Sequence, residues 1–428
     1  MALTEQPPAP ADQPPPLEGS GRAAGLTGLG WDGHPGGHTA RAALFLTLSQ
    51  VEAGVGCPLS MTHAAVPSLR LPPALAAEWE PRLASRAPDG ALCGMAMTER
   101  QGGSDVRANL MWAEPAGEGE AALYGEKWFC SAPQSDAFLV LAQAPGGLSC
   151  YLVERGEGFR VLRLKDKLGN RSNASAEIEL EGARGRLVGA EGRGVPAIVE
   201  MVNQTRLDCV LGSAALMRRA VAEASWHAAH RSAFGRRLAG QPLMQNVLAD
   251  LCLESEAATL VAMRLARACD EGEQAFLRLA TAVAKYWVCK VTPWLVAEAL
   301  ECLGGNGYTA ETVLPRLYRE SPLNSLWEGA GNVNCLDVLR AIRKTPETLE
   351  AFAAEVGPVG ELDLSEAAAR RTVEQLASAL ERSLVERYSP PAVAEAFAAR
   401  SRGRAYGTLP AGHDVEAIID RHTPRVAN

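Results

Sequence analysis

Two short runs hold the residue types able to do chemistry. Thr98-Glu99-Arg100-Gln101-Gly102-Gly103-Ser104-Asp105 sets two hydroxyls around a pair of glycines, and Met95 and Met97 lead into it. Glycine lets a backbone come close to a bulky ligand and adopt dihedrals closed to other residues. Hydroxyls and free N–H groups in such a run suit the phosphate or ring oxygens of a large polar cofactor. The same residues also suit an ordinary turn before a strand, a standing risk of short motifs. Far downstream, Ser325-Leu326-Trp327-Glu328-Gly329-Ala330-Gly331-Asn332 places one carboxylate, Glu328, just before a glycine stretch. A carboxylate on such a loop can reach into a pocket and take a proton. A Glu before Gly serves equally well as a solvated turn residue.

Further segments add rings and donors. In Glu126-Lys127-Trp128-Phe129-Cys130-Ser131 the aromatics could cover a planar ligand and the Ser131 hydroxyl could meet its polar edge. A Trp-Phe pair is also ordinary core material. Arg231-Ser232-Ala233-Phe234-Gly235, with Gln241 after it, offers a guanidinium whose planar fork suits phosphate; a solvated Arg at a helix end is the plain alternative. Gly304-Gly305-Asn306-Gly307-Tyr308 allows close approach of a ligand, or simply caps a helix. His227 and His230 stand at i, i+3 with no third ligand evident, so no metal site is expected. Arg218-Arg219 reads as a solvated helix face.

The elements that must position these residues follow from composition and periodicity. The chain has 428 residues, 47% of them apolar, enough for several domains and a sizeable core. Its formal charge of −8 argues against a general nucleic-acid binder. Ten cysteines lie singly, with no C-x-x-C, which fits free thiols in a reducing, cytoplasmic compartment. No run reaches the ~18–20 apolar residues that span a bilayer, and no secretory h-region opens the chain. Residues 1–38, with Pro14-Pro15-Pro16 and Gly36-Gly37, predict a poorly ordered lead-in. Residues 39–91 predict a helical region, with helices over about Thr39–Ala53 and Pro72–Leu83. Residues 92–190 carry short apolar runs and Gly-rich turns, including Pro145-Gly146-Gly147, and predict a compact β domain of six to eight strands. Residues 191–344 predict a bundle of four helices, the last three near 242–271, 274–303 and 332–343. Residues 345–428 predict a tail, helical around 364–388 and broken at Ser389-Pro390-Pro391.

With Thr98-Glu99 and Gly103-Ser104-Asp105 early, and Trp327-Glu328-Gly329 late, the chain resembles the acyl-CoA dehydrogenase family over about residues 40–343. Two further runs, from Arg163 to Ser175 and from Pro315 to Ser325, resemble the AidB-type branch of that family. The resemblance implies an α+β architecture: a truncated N-terminal helical part, a middle antiparallel β-barrel domain, and a C-terminal four-helix bundle with a helical tail. It implies FAD bound by Met95, Met97, Thr98, Gly103, Ser104, Trp128, Phe129, Cys130, Ser131, Leu326, Trp327, Gly329 and Asn332. It assigns the same role to Arg231, Phe234, Gln241 and Gly305, of which Arg231 and Gly305 complete a neighbouring subunit's flavin site in a homotetramer. Glu328 is implied as the catalytic base and Arg206 as a substrate contact. Some members carry the base where this chain has Thr205. The substrate implied is an acyl-CoA thioester, short and branched by analogy with isovaleryl-CoA, with the electron acceptor left open.

The chain departs from the family pattern in places. Its N-terminal helical region is shorter, with Asp12–Leu17 only faintly similar to the usual start. Ala330 replaces a Ser or Thr, and Glu301 stands where ordinary members have Gln. The alternative reading is an AidB-like flavoprotein of the alkylation-stress response that associates with DNA and has vestigial activity. Residues 345–428 hold nine arginines, no lysine and thirteen acids, which weakens that reading and leaves Arg400, Arg402 and Arg404 as its local patch. A third reading is a flavin-binding shell without turnover.

Overall fold

The structure is a computed structural model that describes residues 16–400 and 412–424. The chain divides into two compact units, Met1–Asp32 with Gly54–Lys167 and Arg171–Gln204, and Gly33–Ala53 with Leu168–Asn170 and Thr205–Asn428.

In the first unit, helix α1 (Pro16–Ala23) already occupies part of the expected lead-in. Leu26 and Thr27 after it are buried, and Trp31 stacks on His63 at 4.7 Å while its Nε1 donates to the His63 carbonyl at 2.9 Å. The segment from residue 16 to 32 is therefore folded, because it covers helix α3 (Gly56–Leu69). Asp12–Pro15 lie outside the described residues. All of α3 except Pro67 is buried, so it has no polar face. Helix α4 (Pro73–Leu83) starts with Pro73 in its first turn, where the missing N–H costs nothing.

Seven strands follow: β1 (Cys93–Ala96), β2 (Trp112–Gly117), β3 (Glu120–Ser131), β4 (Ala137–Ala144), β5 (Gly147–Glu154), β6 (Phe159–Leu164) and β7 (Ser175–Val188). Five close into a ring, β4 to β2 to β3 to β7 to β5 and back to β4. Strand β1 adds to β4, and β6 adds to β7. Most pairs are antiparallel, as expected, but β1 runs parallel to β4, and β2 meets β4 in parallel through the one pair Trp112 and Gln143. The β2–β3 hairpin lies between β1 and β4 in sequence and supplies the long crossover that parallel strands require. Leu123, Cys130, Phe138, Val140, Val153 and Ile178 fill the ring. A bulge in β3 between Lys127 and Cys130 brings Cys130 onto the face that Leu123 already presents.

The second unit contains the bundle. Helices α5 (Gly194–His230), α6 (Pro242–Glu271), α7 (Gln274–Cys302) and α10 (Gly331–Lys344) match the four expected. Only the residues of α5 from Thr205 onward belong to this unit. Short elements connect them: strands β8 (Ser232–Ala233) and β9 (Arg236–Arg237), and helices α8 (Gly305–Tyr308) and α9 (Leu314–Glu320). Helix α2 (Gly37–Val51) packs on α6, although the sequence groups it with residues 39–91. Two polar links hold it there. Asp270 at the end of α6 accepts from His38 N, Thr39 N and Thr39 Oγ1 at 2.8, 2.9 and 2.6 Å, which satisfies first-turn donors of α2. Arg41 meets Asp208 of α5 through two bonds of 2.6 and 2.7 Å, both side chains 3% exposed.

The tail folds onto this unit as α11 (Glu347–Val356), α12 (Ala369–Tyr388), α13 (Pro391–Ala399) and α14 (Val415–Asp420). Helices α12 and α14 pack on α6, and α11 packs on α7. Arg400 is 5% exposed and faces Asp250 at 3.7 Å and Glu254 at 2.5 Å, so it is not part of a surface patch. Arg402 and Arg404 lie outside the described residues. All the cysteines are free; Cys269 is half-buried and the other nine are buried.

Candidate functional site

The motif residues form two clusters, one in each unit. In the first unit, the run from Thr98 to Asp105 lies beside the end of β3, and Trp128 N donates to the Thr98 carbonyl at 2.9 Å. A buried ion pair joins the two motifs. Lys127 Nζ lies 2.8 Å from Glu99 Oε1, with the side chains 0% and 4% exposed. The Glu99 carboxylate also accepts from Leu110 N and Met111 N at 2.6 and 3.1 Å, and Lys127 donates to the Leu141 carbonyl at 2.8 Å. With its remaining donors and acceptors met, the pair fixes the loop rather than facing a ligand.

Above that pair the surface is aromatic and hydroxylic. Phe129 is 56% exposed and meets Trp128 edge to face at 6.4 Å. Lys165 Nζ sits 3.4 Å from the Trp128 ring centroid, with Arg100 at 4.9 Å, so cations cover this indole. Thr98 and Ser131 are half-buried and Ser104 is exposed. Gly103 is required where it stands, since a Cβ there would lie 2.3 Å from Thr98 Oγ1. Met95 is buried in β1, and Met97 presents a carbonyl that Asn109 Nδ2 reaches at 3.0 Å. Cys130 departs from expectation. Its side chain is fully buried in the barrel core, because strand alternation turns it opposite to Phe129 and Ser131. A ligand on this surface would meet the Cys130 backbone only.

In the second unit, Glu328 lies on the loop between α9 and α10 with φ 54°, a left-handed conformation that costs a non-glycine residue roughly 1–2 kcal/mol. Gly329 follows at φ 94°. The loop is held in that shape from three sides. Arg206 Nε of α5 donates to the Glu328 carbonyl at 3.1 Å. Lys285 Nζ of α7 donates to the Gly329 carbonyl at 2.6 Å, and Asn334 Nδ2 of α10 donates to the same oxygen. Glu328 Oε2 is shut off from solvent and has no hydrogen-bond partner. Burial pushes the Glu328 carboxyl above its usual range, against the fields of Arg206 and Lys285 and a hydrogen bond from Thr205. A carboxylate with a raised pKa and a free oxygen is suited to accept a proton.

Arg206, expected as a substrate contact, also bonds within the protein. Its Nη1 lies 2.7 Å from Asp337 Oδ2, and Asp337 also takes two bonds from Arg278, at 2.7 and 3.1 Å. Arg206 is thereby fixed under the loop. Sequence reasoning did not single out Asp337, Arg278, Lys285 or Asn334. The signals were a lysine inside the apolar run Ala280–Val288, and Asn334 and Asp337 at i, i+3 on one helix. Of the remaining motif residues, Leu326 is 62% exposed, Trp327 half-buried, and Asn332 accepts from Arg370 Nε at 2.9 Å. Arg231 is exposed at the end of α5, and Phe234 stands 96% exposed at the tip of the β8–β9 hairpin. Gln241 Nε2 closes that hairpin on the Ala233 carbonyl at 3.1 Å. Gly305 is exposed at the start of α8. His230 lies against Trp226 with tilted rings 3.9 Å apart, and its Nδ1 lies 2.8 Å from the Trp226 carbonyl.

The two branch-specific runs also meet. Asn170, at φ 54°, bonds Glu320 of α9 through its backbone N–H and through Nδ2, the latter at 2.6 Å.

Comparison with known proteins places these features in context. Three family profiles match: the acyl-CoA dehydrogenase C-terminal domain over residues 192–343, the acyl-CoA dehydrogenase middle domain over 94–183, and the adaptive response protein AidB N-terminal domain over 17–98. AidB of Escherichia coli (strain K12) is 47% identical over 372 residues, which cover 81% of this chain and 69% of that protein. The structure of Caenorhabditis elegans ACDH-11 in complex with C11-CoA superposes with a TM-score of 0.83 at 28% identity, covering 95% of this chain and 78% of that one. A Bacillus anthracis acyl-CoA dehydrogenase complexed with FAD shares the fold, with a TM-score of 0.75 at 19% identity over 95% of this chain and 81% of its own. Among the described residues, no helix is long and apolar enough to cross a membrane.

Proposed function

Since the chain belongs to the acyl-CoA dehydrogenase family, oxidoreductases acting on CH–CH bonds, we propose that it is an FAD-dependent dehydrogenase that desaturates an acyl-CoA between Cα and Cβ, with Glu328 as the base. The observation that carries the reading is Glu328 Oε2, withheld from solvent and unbonded, on a strained backbone held by Arg206 and Lys285. Strain of this kind persists where the surroundings over-determine it, as at catalytic sites.

FAD is the cofactor of this family, and the residues present fit it. Gly103 lets the backbone pack directly against Thr98, where a Cβ would meet the Thr98 hydroxyl, and Phe129 offers an exposed ring with the half-buried Thr98 and Ser131 beside it in the chain. Thr98, Gly103, Ser104, Trp128, Phe129 and Ser131 would hold it. Bound FAD supplies the acceptor for the hydride leaving Cβ. Glu328 takes the proton from Cα at Oε2, and its desolvation makes that oxygen a stronger base than a hydrated carboxylate. Arg206 and Lys285 keep the loop in register, so the carboxylate spends no time in unproductive orientations. The product is the enoyl-CoA.

A short, branched acyl-CoA is the proposed substrate, supported by resemblance, and the C11-CoA held by ACDH-11 supports the thioester class. The exposed Phe234 and Arg231 support assembly into a homotetramer in which one subunit completes its neighbour's flavin site. The alternative, a DNA-associated stress flavoprotein, draws its support from the likeness to AidB. Burial of Arg400 takes away part of the basic patch on which that reading relies.

The test is anaerobic addition of isovaleryl-CoA or an undecanoyl thioester to the FAD-loaded protein. Bleaching of the flavin band is expected for the wild type and its loss for Glu328→Gln. Bleaching at the wild-type rate by Glu328→Gln would refute the assignment.

A further inference from the structure

Lys285 is 1% exposed, in the middle of an apolar helix. A buried ammonium costs several kcal/mol unless opposite charge or strong hydrogen bonds compensate. Its hydrogen bond runs to the neutral Gly329 carbonyl at 2.6 Å, and among the described residues no carboxylate forms an ion pair with it. Asn334 Nδ2 already serves that carbonyl. A second donor alone therefore does not account for a charged side chain here. The carboxylate whose charge it feels is Glu328, one residue from the carbonyl it holds.

We propose that Lys285 is a positioning residue for the base: it anchors the Gly329 carbonyl and sets a fixed positive charge beside Glu328, so that the carboxylate is ionised and correctly turned when substrate arrives. The inference rests on the reading of Glu328 as the base. Arg206, Cys209 and Thr205 of α5 also face Glu328, and Asp337 of α10 neutralises part of the Arg206 charge. Lys285 is thus the cation near Glu328 that lacks a competing carboxylate. Division of labour follows. Asn334 holds the loop without charge, Arg206 holds it with a shared charge, and Lys285 contributes charge reserved for the base.

The experiment measures the pH profile of acyl-CoA-dependent flavin bleaching in the FAD-loaded Lys285→Met and Asn334→Ala variants. Removal of one opposite charge nearby moves a carboxyl by about one to three pH units. Lys285→Met is expected to move the apparent pKa of the base upward by at least about one unit, with a roughly tenfold slower reaction below it and recovery in alkali. Asn334→Ala is expected to slow the reaction equally at every pH. Isotope-edited infrared titration without substrate supplies an independent readout: the protonated glutamic acid band, absent in Glu328→Gln, should persist to higher pH in Lys285→Met. If Lys285→Met does not load FAD, Lys285→Gln keeps a donor to Gly329 and removes the charge alone. An unmoved pH profile with an inactive Glu328→Gln overturns the role of Lys285 and leaves the base in place. Full bleaching by Glu328→Gln removes the base assignment and this inference with it.

Discussion

Replacing Asp337 by Asn should expose how far the Glu328 loop depends on one buried charge. Asp337 accepts three hydrogen bonds, one from Arg206 and two from Arg278, at 2.7 to 3.1 Å. Arg206 and Asp337 are 11% and 13% exposed, and Arg278 is 34% exposed. Breaking a buried ion pair by removing one partner costs ~3–5 kcal/mol. The more exposed Arg278 bonds are screened and contribute less. A loss of about 3 kcal/mol at neutral pH is therefore expected, or roughly 6–12 °C in Tm at ~2–4 °C per kcal/mol. Burial acts to raise the Asp337 pKa, but the Arg278 hydrogen bonds and the Arg206 field outweigh it and hold the carboxyl below its usual range. The stabilisation is thus present above the unfolded pKa of about 3.9 and is lost as pH falls through the depressed native value. Urea denaturation of wild type and Asp337→Asn between pH 3 and pH 7 should show a gap that is full at pH 7 and narrows steadily as pH falls below about 4. A gap under ~1 kcal/mol at pH 7, or one of constant size across the range, would refute the reasoning.

Three other perturbations probe separate parts of the structure. Lys127→Met should cost ~3–5 kcal/mol, because it leaves the Glu99 carboxylate buried without its cation, and should lower the flavin retained on gel filtration. Equal stability and equal flavin content would contradict the assigned role of the pair. Arg400→Ala removes the buried cation paired with Glu254, and about 3 kcal/mol and faster proteolysis of the tail are expected from urea titration and limited digestion. Asn170→Gly relieves a left-handed residue but loses the Nδ2 bond to Glu320, a charge-assisted bond worth ~1.5–3 kcal/mol, so a net loss near 1 kcal/mol should appear in thermal denaturation.

The sequence made some of this legible and hid the rest for physical reasons. Helices α6, α7 and α10 show the apolar spacing that burial on one face imposes, and their observed ends lie close to those expected. Helix α3 is buried on nearly every side, so its sequence lacks the polar face on which periodicity depends. Helix α1 was masked by the Pro and Gly around it. The parallel pairing of β1 with β4 left no mark, because a short apolar strand reads the same in either direction. At the candidate site, the motifs drew attention to Glu328, Gly103 and Phe129, whose types are unusual for their neighbourhood. Asp337 and Lys285 lie 9 and 43 residues from Glu328 in sequence, and only the folded bundle brings them to it.

The burial of the cysteines bears on how this protein can be observed. Burial pushes the Cys150, Cys269, Cys302 and Cys335 thiols up to about 12, and the Cys93, Cys130 and Cys252 thiols well above their usual value. The thiolate is the reactive form, so these seven thiols are expected to react slowly with disulfide and alkylating reagents at neutral pH. Any labelling then reports a transient opening, and its site tells which element opened: the barrel through Cys130 and Cys150, the bundle through Cys252 and Cys289, the α10 packing through Cys335. The native sequence thereby carries its own set of clocks for local breathing, readable by mass spectrometry without introducing a single probe.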